Sequence, residues 1–103
     1  MKAIETDVLI IGAGPAGAVA AASLHRDGLR TLVVEKQRFT RFVIGESLLP
    51  RTMDLLREVG LLEAVEARGF IHKTGAVFKR GAEVCDFDFA NQSGPGWKYT
   101  YHV

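Results

Sequence analysis

Only one cysteine occurs among the 103 residues, so no internal disulfide can staple the chain, and a reducing compartment such as the cytoplasm is the expected setting. No apolar run approaches the ~20 residues that cross a bilayer, so no helical membrane span is expected. The apolar run Val8-Leu9-Ile10-Ile11 is too short for the core of a signal peptide. Neither charge sign dominates. Thirteen Lys and Arg against 12 Asp and Glu leave a net +1, which makes no electrostatic case for nucleic acid or an acidic membrane surface. Internal repeats and low-complexity segments are absent. His25, His72 and His102 lack metal-ligand spacing, so no metal site is expected. What remains is 48% hydrophobic and 24% charged, a globular composition of a length that suits one small domain.

Against these absences stands one dense motif. The apolar run from Val8 ends in Gly12-Ala13-Gly14-Pro15-Ala16-Gly17, a Gly-x-Gly-x-x-Gly pattern, and helix formers follow at once. A second apolar run, Thr31-Leu32-Val33-Val34, is tipped by Glu35. Strand, glycine turn, helix and acid-tipped strand together bind the ADP half of a dinucleotide. Gly12 permits the sharp turn, Gly14 lets the backbone approach a pyrophosphate, and Gly17 lets the helix pack closely. Pro15 suits the first helical turn, whose N–H groups and dipole face the phosphates. Glu35, eighteen residues after Gly17, is spaced to accept hydrogen bonds from ribose hydroxyls. An acid there repels a 2′-phosphate, which favours FAD or NAD over NADP.

The fold class is α/β, a Rossmann-like FAD/NAD(P)-binding βαβ start. Strands are expected over 5–11 and 30–35, with a helix over 15–27 closed by Gly28. A basic loop follows, then a helix pair. Ser47 is expected to cap a helix over 48–59, with Pro50 in its first turn and Leu55, Leu56 and Val59 buried. A short helix over 61–68 ends at Gly69. From Phe70 the period changes to antiparallel strands. One is expected over Phe70–Lys79, with a turn at Arg80-Gly81-Ala82. A half-buried strand then alternates Cys85, Phe87 and Phe89 with a solvent face of Asp86 and Asp88. Cys85 reads as a buried structural thiol. A loop over 91–96 precedes a strand over Trp97–Val103.

The glycine motif resembles the glutathione-reductase-type FAD-binding fold, in its aromatic-hydroxylase branch. The segment Arg41-Phe42-Val43-Ile44-Gly45-Glu46-Ser47-Leu48-Leu49-Pro50 is similar to the Gly-Glu-Ser/Ala-x-x-Pro segment of flavin-dependent halogenases and the oxidoreductases grouped with them. Gly69-Phe70-Ile71-His72-Lys73-Thr74-Gly75-Ala76-Val77-Phe78 also resembles that group. The resemblance implies that Gly12, Gly14, Pro15, Ala16 and Gly17 wrap the FAD pyrophosphate, and that Glu35 holds the adenosine ribose with Lys36 beside it. It places Arg41 near the cofactor. A guanidinium there can pair with phosphate or stack on adenine, or serve only as a solvated loop residue. It places Ile44 and Ser47 where the backbone approaches the flavin.

For Lys73 the resemblance implies catalysis. A lysine at the matching position stands between flavin and substrate and engages the hypohalous acid that a flavin hydroperoxide generates. Ile71, Gly75 and Val77 are expected on the same strand face, an unusual place for a solvated lysine. The competing reading is an edge-strand lysine that discourages aggregation. The implied function is an FAD-dependent monooxygenase or halogenase acting on an aromatic or carrier-bound substrate, with a separate flavin reductase as a possible partner. Two other readings stay open: a flavin-dependent isoprenoid reductase, and a truncated, non-catalytic FAD-binding module. The tryptophan-pair motif of halogenases lies further along the family's chains, and Trp97-Lys98-Tyr99 is not it. Only two parallel strands are legible, so the chain is expected to be the N-terminal portion of a longer enzyme. Its expected parts are a βαβ motif over 1–36, loop and helices over 37–69, and the start of a β-rich, substrate-side segment over 70–103.

Overall fold

The computed structural model describes residues 2–40, 42–43, 45–91 and 96–103. β-Branched Val and Ile favour extended backbone at its start. β1 (Val8–Ile11) runs into α1 (Pro15–Arg26), which returns the chain to β2 (Thr31–Val34). The two strands are parallel, with Val8 opposite Thr31 and Ile11 opposite Val34. The alanines of α1 let it lie close to both strands. Asp27 caps its C-terminus, and Gly28 follows with φ +83°, the left-handed glycine expected there.

A clamp at the foot of the strands fixes their register. The Asp7 carboxylate accepts the Arg30 backbone N–H at 2.7 Å and its guanidinium at 3.0 Å, while the Arg30 carbonyl accepts the Asp7 and Val8 N–H groups. The Arg30 side-chain bond, reinforced by the backbone bond, holds the Asp7 carboxyl below the usual carboxylate range. A carboxylate whose folded pKa is depressed stabilises the fold above its unfolded value of about 3.9 and loses that contribution as pH falls through the folded value. Asp7→Asn should therefore lower the thermal midpoint near pH 6, with the gap to the unsubstituted chain closing below about pH 3. A gap that persists undiminished in acid would exclude this charge effect.

α2 (Pro50–Glu58) and α3 (Leu62–Ala67) pack on each other and lead to β3 (Ile71–Lys73). β4 (Gly75–Arg80) and β5 (Glu83–Asp88) form a hairpin joined by Gly81-Ala82, with Gly81 at φ +59°. A 3-10 turn over Phe89–Asn91 precedes β6 (Thr100–His102). β6 is central to its unit. One edge pairs antiparallel with β3, Lys73 opposite Thr100 and Ile71 opposite His102. The other edge meets residues 46–48, through Val103 N–H to the Glu46 carbonyl at 3.0 Å and Leu48 N–H to the Tyr101 carbonyl at 2.9 Å. Among the described residues the buried side chains are Met53, Leu56, Phe89, Thr100 and Tyr101. Burying a side chain the size of Met53 contributes about 1.5–3 kcal/mol. The fully buried Thr100 hydroxyl donates to the Leu49 carbonyl at 3.3 Å, which offsets its desolvation.

Several expectations needed correction. The strand over Phe70–Lys79 is interrupted at Thr74, whose carbonyl accepts the Phe89 N–H, so β3 and β4 take different partners. The last strand is shorter than Trp97–Val103. On α2 it is Met53 that is buried with Leu56, while Leu55 is exposed. The buried stripe of α2 therefore runs through Met53 and Leu56, and α2 is in contact with β6. Cys85 lies opposite Phe78 on the apolar face of the hairpin, but that face is uncovered and the thiol is exposed. Phe89 has left the strand and is buried in the 3-10 turn. Residues 92–95 of the predicted loop lie outside the described residues.

Candidate cofactor site

The glycine turn leaves β1 at its carboxyl end. Gly12 has φ +108°, a left-handed region that side chains rarely adopt, and its N–H donates to the Val34 carbonyl at 2.8 Å. Gly17 is constrained differently. A Cβ there would drive into the Gly12 carbonyl oxygen and come within 3.3 Å of Ile10 Cγ2. The turn and helix therefore close on each other only because Gly17 has no side chain. Gly14 is the N-cap of α1, Pro15 is its first residue, and Ala16 lies exposed beside it. No side chain caps this helix end and no acid occupies its first turn. The first-turn N–H groups of α1 therefore carry no side-chain partner from a cap.

Glu35, half-buried at the tip of β2, is locked onto the turn. Its Oε2 accepts the Ala13 N–H at 2.9 Å, and its Oε1 accepts the Gln37 N–H at 3.0 Å. Hydrogen bonds to a charged group contribute about 1.5–3 kcal/mol each, so the carboxylate orients the turn as well as itself. The sequence pattern pointed to Glu35 as a ribose acceptor but not to this second role. Beside it lies a cavity of about 490 Å³ lined by Ile11, Gly12, Val34, Glu35 and Lys36. Ile11, 85% exposed, offers an apolar wall for a flat base, and Lys36 adds an exposed ammonium. Apolar wall, carboxylate, side-chain-free turn and open helix end match the base, ribose and pyrophosphate of FAD in that order.

The structure gathers Gly12, Gly14, Pro15, Ala16, Gly17, Glu35 and Lys36 at this one end of the strand pair. Arg41 and Ile44 lie outside the described residues. Ser47 and Lys73 belong to the β6 unit instead. Ser47 is not the cap of α2. Leu49 occupies that position with no side-chain bond, and Pro50 opens the helix as expected. The chain turns at Gly45, φ +95°, and Ser47 forms an isolated bridge with His102. Lys73 is half-buried on the opposite edge of β6, but its surroundings differ from the expected apolar face. Ile71 is 72% and Val77 63% exposed, because the strand breaks between them.

A larger cavity, about 680 Å³, is lined by Asp54, Arg57, Gly96, Trp97, Lys98 and Tyr99. It is a clamp between α2 and the stretch before β6. The Asp54 carboxylate accepts Trp97 Nε1 at 2.9 Å, Arg57 at 3.0 Å and Arg51 at 3.2 Å. The indole bond chiefly, then the two guanidinium groups, hold Asp54 below the usual carboxylate range. Its carboxylate is turned to these three donors, which ties α2 to the stretch before β6. The features that fit FAD stand at the glycine turn.

Comparison with known proteins agrees with that geometry. A family described as "FAD binding domain" matches residues 5–101. The tryptophan 2-halogenase of Chondromyces crocatus is 42% identical over 99 residues, covering 96% of this chain and 18% of that protein. The 1H-pyrrole-2-carbonyl-[peptidyl-carrier protein] chlorinase of Pseudomonas fluorescens is 36% identical over 117 residues, covering 96% of this chain and 26% of that protein. Among solved structures, a flavoprotein/dehydrogenase from Cytophaga hutchinsonii superposes with a TM-score of 0.84 at 56% identity, covering 95% of this chain and 24% of that one. The chain thus spans about a fifth to a quarter of the length of these relatives. Glycine turn, locked carboxylate and similarity converge: the chain belongs to the family of FAD binding domains, and FAD is its cofactor.

Proposed function

We propose that this chain supplies the ADP grip and part of the flavin wall of an FAD-dependent halogenase or monooxygenase. The observation that carries the reading is the Glu35 carboxylate locked on the Ala13 N–H beside the side-chain-free Gly12–Gly17 contact. Gly12, Gly14, Pro15, Ala16 and Gly17 would hold the pyrophosphate on backbone N–H groups. Glu35 and Lys36 would hold the ribose, with Arg41 nearby, and Ile44 and Ser47 would lie along the flavin. Bound FAD supplies two-electron redox chemistry with O2. The two halogenating relatives support an aromatic or carrier-bound substrate. A separate flavin reductase would supply the reduced cofactor. Among the described residues no helix is long and apolar enough to cross a membrane. We place the protein in the cytoplasm on its single cysteine.

In this reading Lys73 is the catalytic residue. Its ammonium would donate a hydrogen bond to the oxygen of a hypohalous acid and direct the halogen to one ring carbon; as the oxygen–halogen bond breaks, the departing hydroxide and the displaced ring proton leave together as water. Its half-buried place on β3 removes part of its hydration and supports that role. Lys73→Ala should cut halogenated product by roughly 100-fold, the low end of what a positioned proton donor contributes, with FAD affinity unchanged. The assay supplies reduced flavin, O2, bromide and an indole or carrier-bound pyrrole. Full product from the variant would exclude Lys73.

A second reading is a flavin-dependent dehydrogenase or reductase, which the 56% identity to the Cytophaga flavoprotein favours. It would show halide-independent turnover and no halogenated product.

A further inference from the structure

One side-chain contact on β6 has no part in the roles above. Ser47 Oγ and His102 Nδ1 share a hydrogen bond of 2.9 Å. The backbone does not require it, because the bonds of Leu48 and Val103 already close the bridge. Burial does not require it either, since both residues are exposed and could bond to water. What the contact does is remove a freedom. A serine hydroxyl rotates, and it can donate once and accept twice. With Nδ1 bare, the hydroxyl proton points at His102 and its lone pairs face outward. With a proton on Nδ1, the hydroxyl accepts it and turns its own proton outward. The two residues lie 55 positions apart and meet only because residues 46–48 bridge to β6.

We propose that His102 is a positioning residue for the cofactor site, fixing through Nδ1 which hydrogen-bonding face of the Ser47 hydroxyl is offered to bound FAD. The proposal rests on the reading that Ser47 lies along the flavin. His102 acts through Ser47 and need not touch the cofactor. The edge of a flavin ring carries carbonyl oxygens and ring nitrogens, which accept, beside an N–H, which donates. A hydroxyl locked in one orientation matches one kind of group and mismatches the other. A purely structural contact would instead change stability and leave the bound flavin unaltered.

The test compares the FAD-loaded protein with Ser47→Ala, His102→Leu and His102→Asn, reading FAD Kd by fluorescence and the visible absorption band of the bound flavin. Ser47→Ala and His102→Leu should each raise Kd about 2- to 10-fold, the range of one net hydrogen bond, and shift the band in the same direction. The double variant should be no worse than either single one. His102→Asn, whose amide can replace the Nδ1 contact, should restore both readouts. In flavin-free protein, 15N spectra should report one dominant His102 tautomer that becomes mixed in Ser47→Ala. An unaltered Kd and band in Ser47→Ala would overturn the reading that Ser47 lies along the flavin. An effect in Ser47→Ala with none in His102→Leu, or losses that add in full, would overturn the role of His102 alone.

Discussion

Gly17→Val should abolish measurable FAD binding, raising Kd at least ~100-fold, and should destabilise the fold by about 1–3 kcal/mol. The physical reason is the contact between the turn and the helix that follows it. A Cβ on Gly17 would collide with the Gly12 carbonyl group and also come within 3.3 Å of Ile10 Cγ2 on β1. Backbone oxygen cannot rotate away as a long side chain could. Either α1 lifts off the strand or Gly12 swings toward the cofactor space. Both movements misplace the first-turn N–H groups that would hold the pyrophosphate. Gly17→Ala should fall between the extremes, because its single methyl still meets the oxygen. Flavin fluorescence quenching measures Kd and a thermal melt measures stability. Near-native FAD affinity in a folded Gly17→Val protein would mean that the turn does not bind the cofactor.

Glu35→Ala should weaken FAD binding by about 10- to 100-fold, and Glu35→Gln by about 10-fold, since a charged hydrogen-bond acceptor contributes about 1.5–3 kcal/mol. Two effects combine in the alanine variant. It removes the acceptor proposed for the ribose, and it frees the Ala13 and Gln37 N–H groups that the carboxylate holds. They separate in flavin-free protein. Hydrogen exchange at Ala13 and Gln37 should quicken in Glu35→Ala before any cofactor is added. If exchange quickens but Kd stays fixed, Glu35 only braces its loop. If Kd rises without faster exchange, the bracing bonds are not formed in solution.

The parts of the fold that were legible in the sequence are those built from near neighbours. β1, the glycine turn, α1 and β2 follow from a local pattern, because a parallel βαβ unit has one short-range solution and each glycine has one steric task. The left-handed glycines at 28, 60 and 69 ended their helices where the periodicity stopped. The β6 unit was less legible. Ser47 has the residue type of a helix cap and sits before a proline that opens a helix, so local reasoning put it there. Its partner proved to be His102. The pattern around Lys73 predicts a continuous strand, yet β3 and β4 separate at Thr74 because their pairing partners, β6 and β5, come from different stretches of chain. Asp54 gave no signal of its bond to Trp97, 43 residues on.

By itself the sequence determined the cofactor class. Gly12, Gly14, Gly17 and Glu35 encode steric room and charge at fixed spacing, and those properties act over a single turn of chain. Only the tertiary structure decided what Glu35 braces, which face of α2 is buried, and that β6 carries Ser47 on one edge and Lys73 on the other. Those facts depend on contacts between residues 22 to 55 positions apart. Hydrophobic pattern specifies that a strand will pair, but its partner is chosen by which packing buries Met53, Thr100 and Tyr101 together.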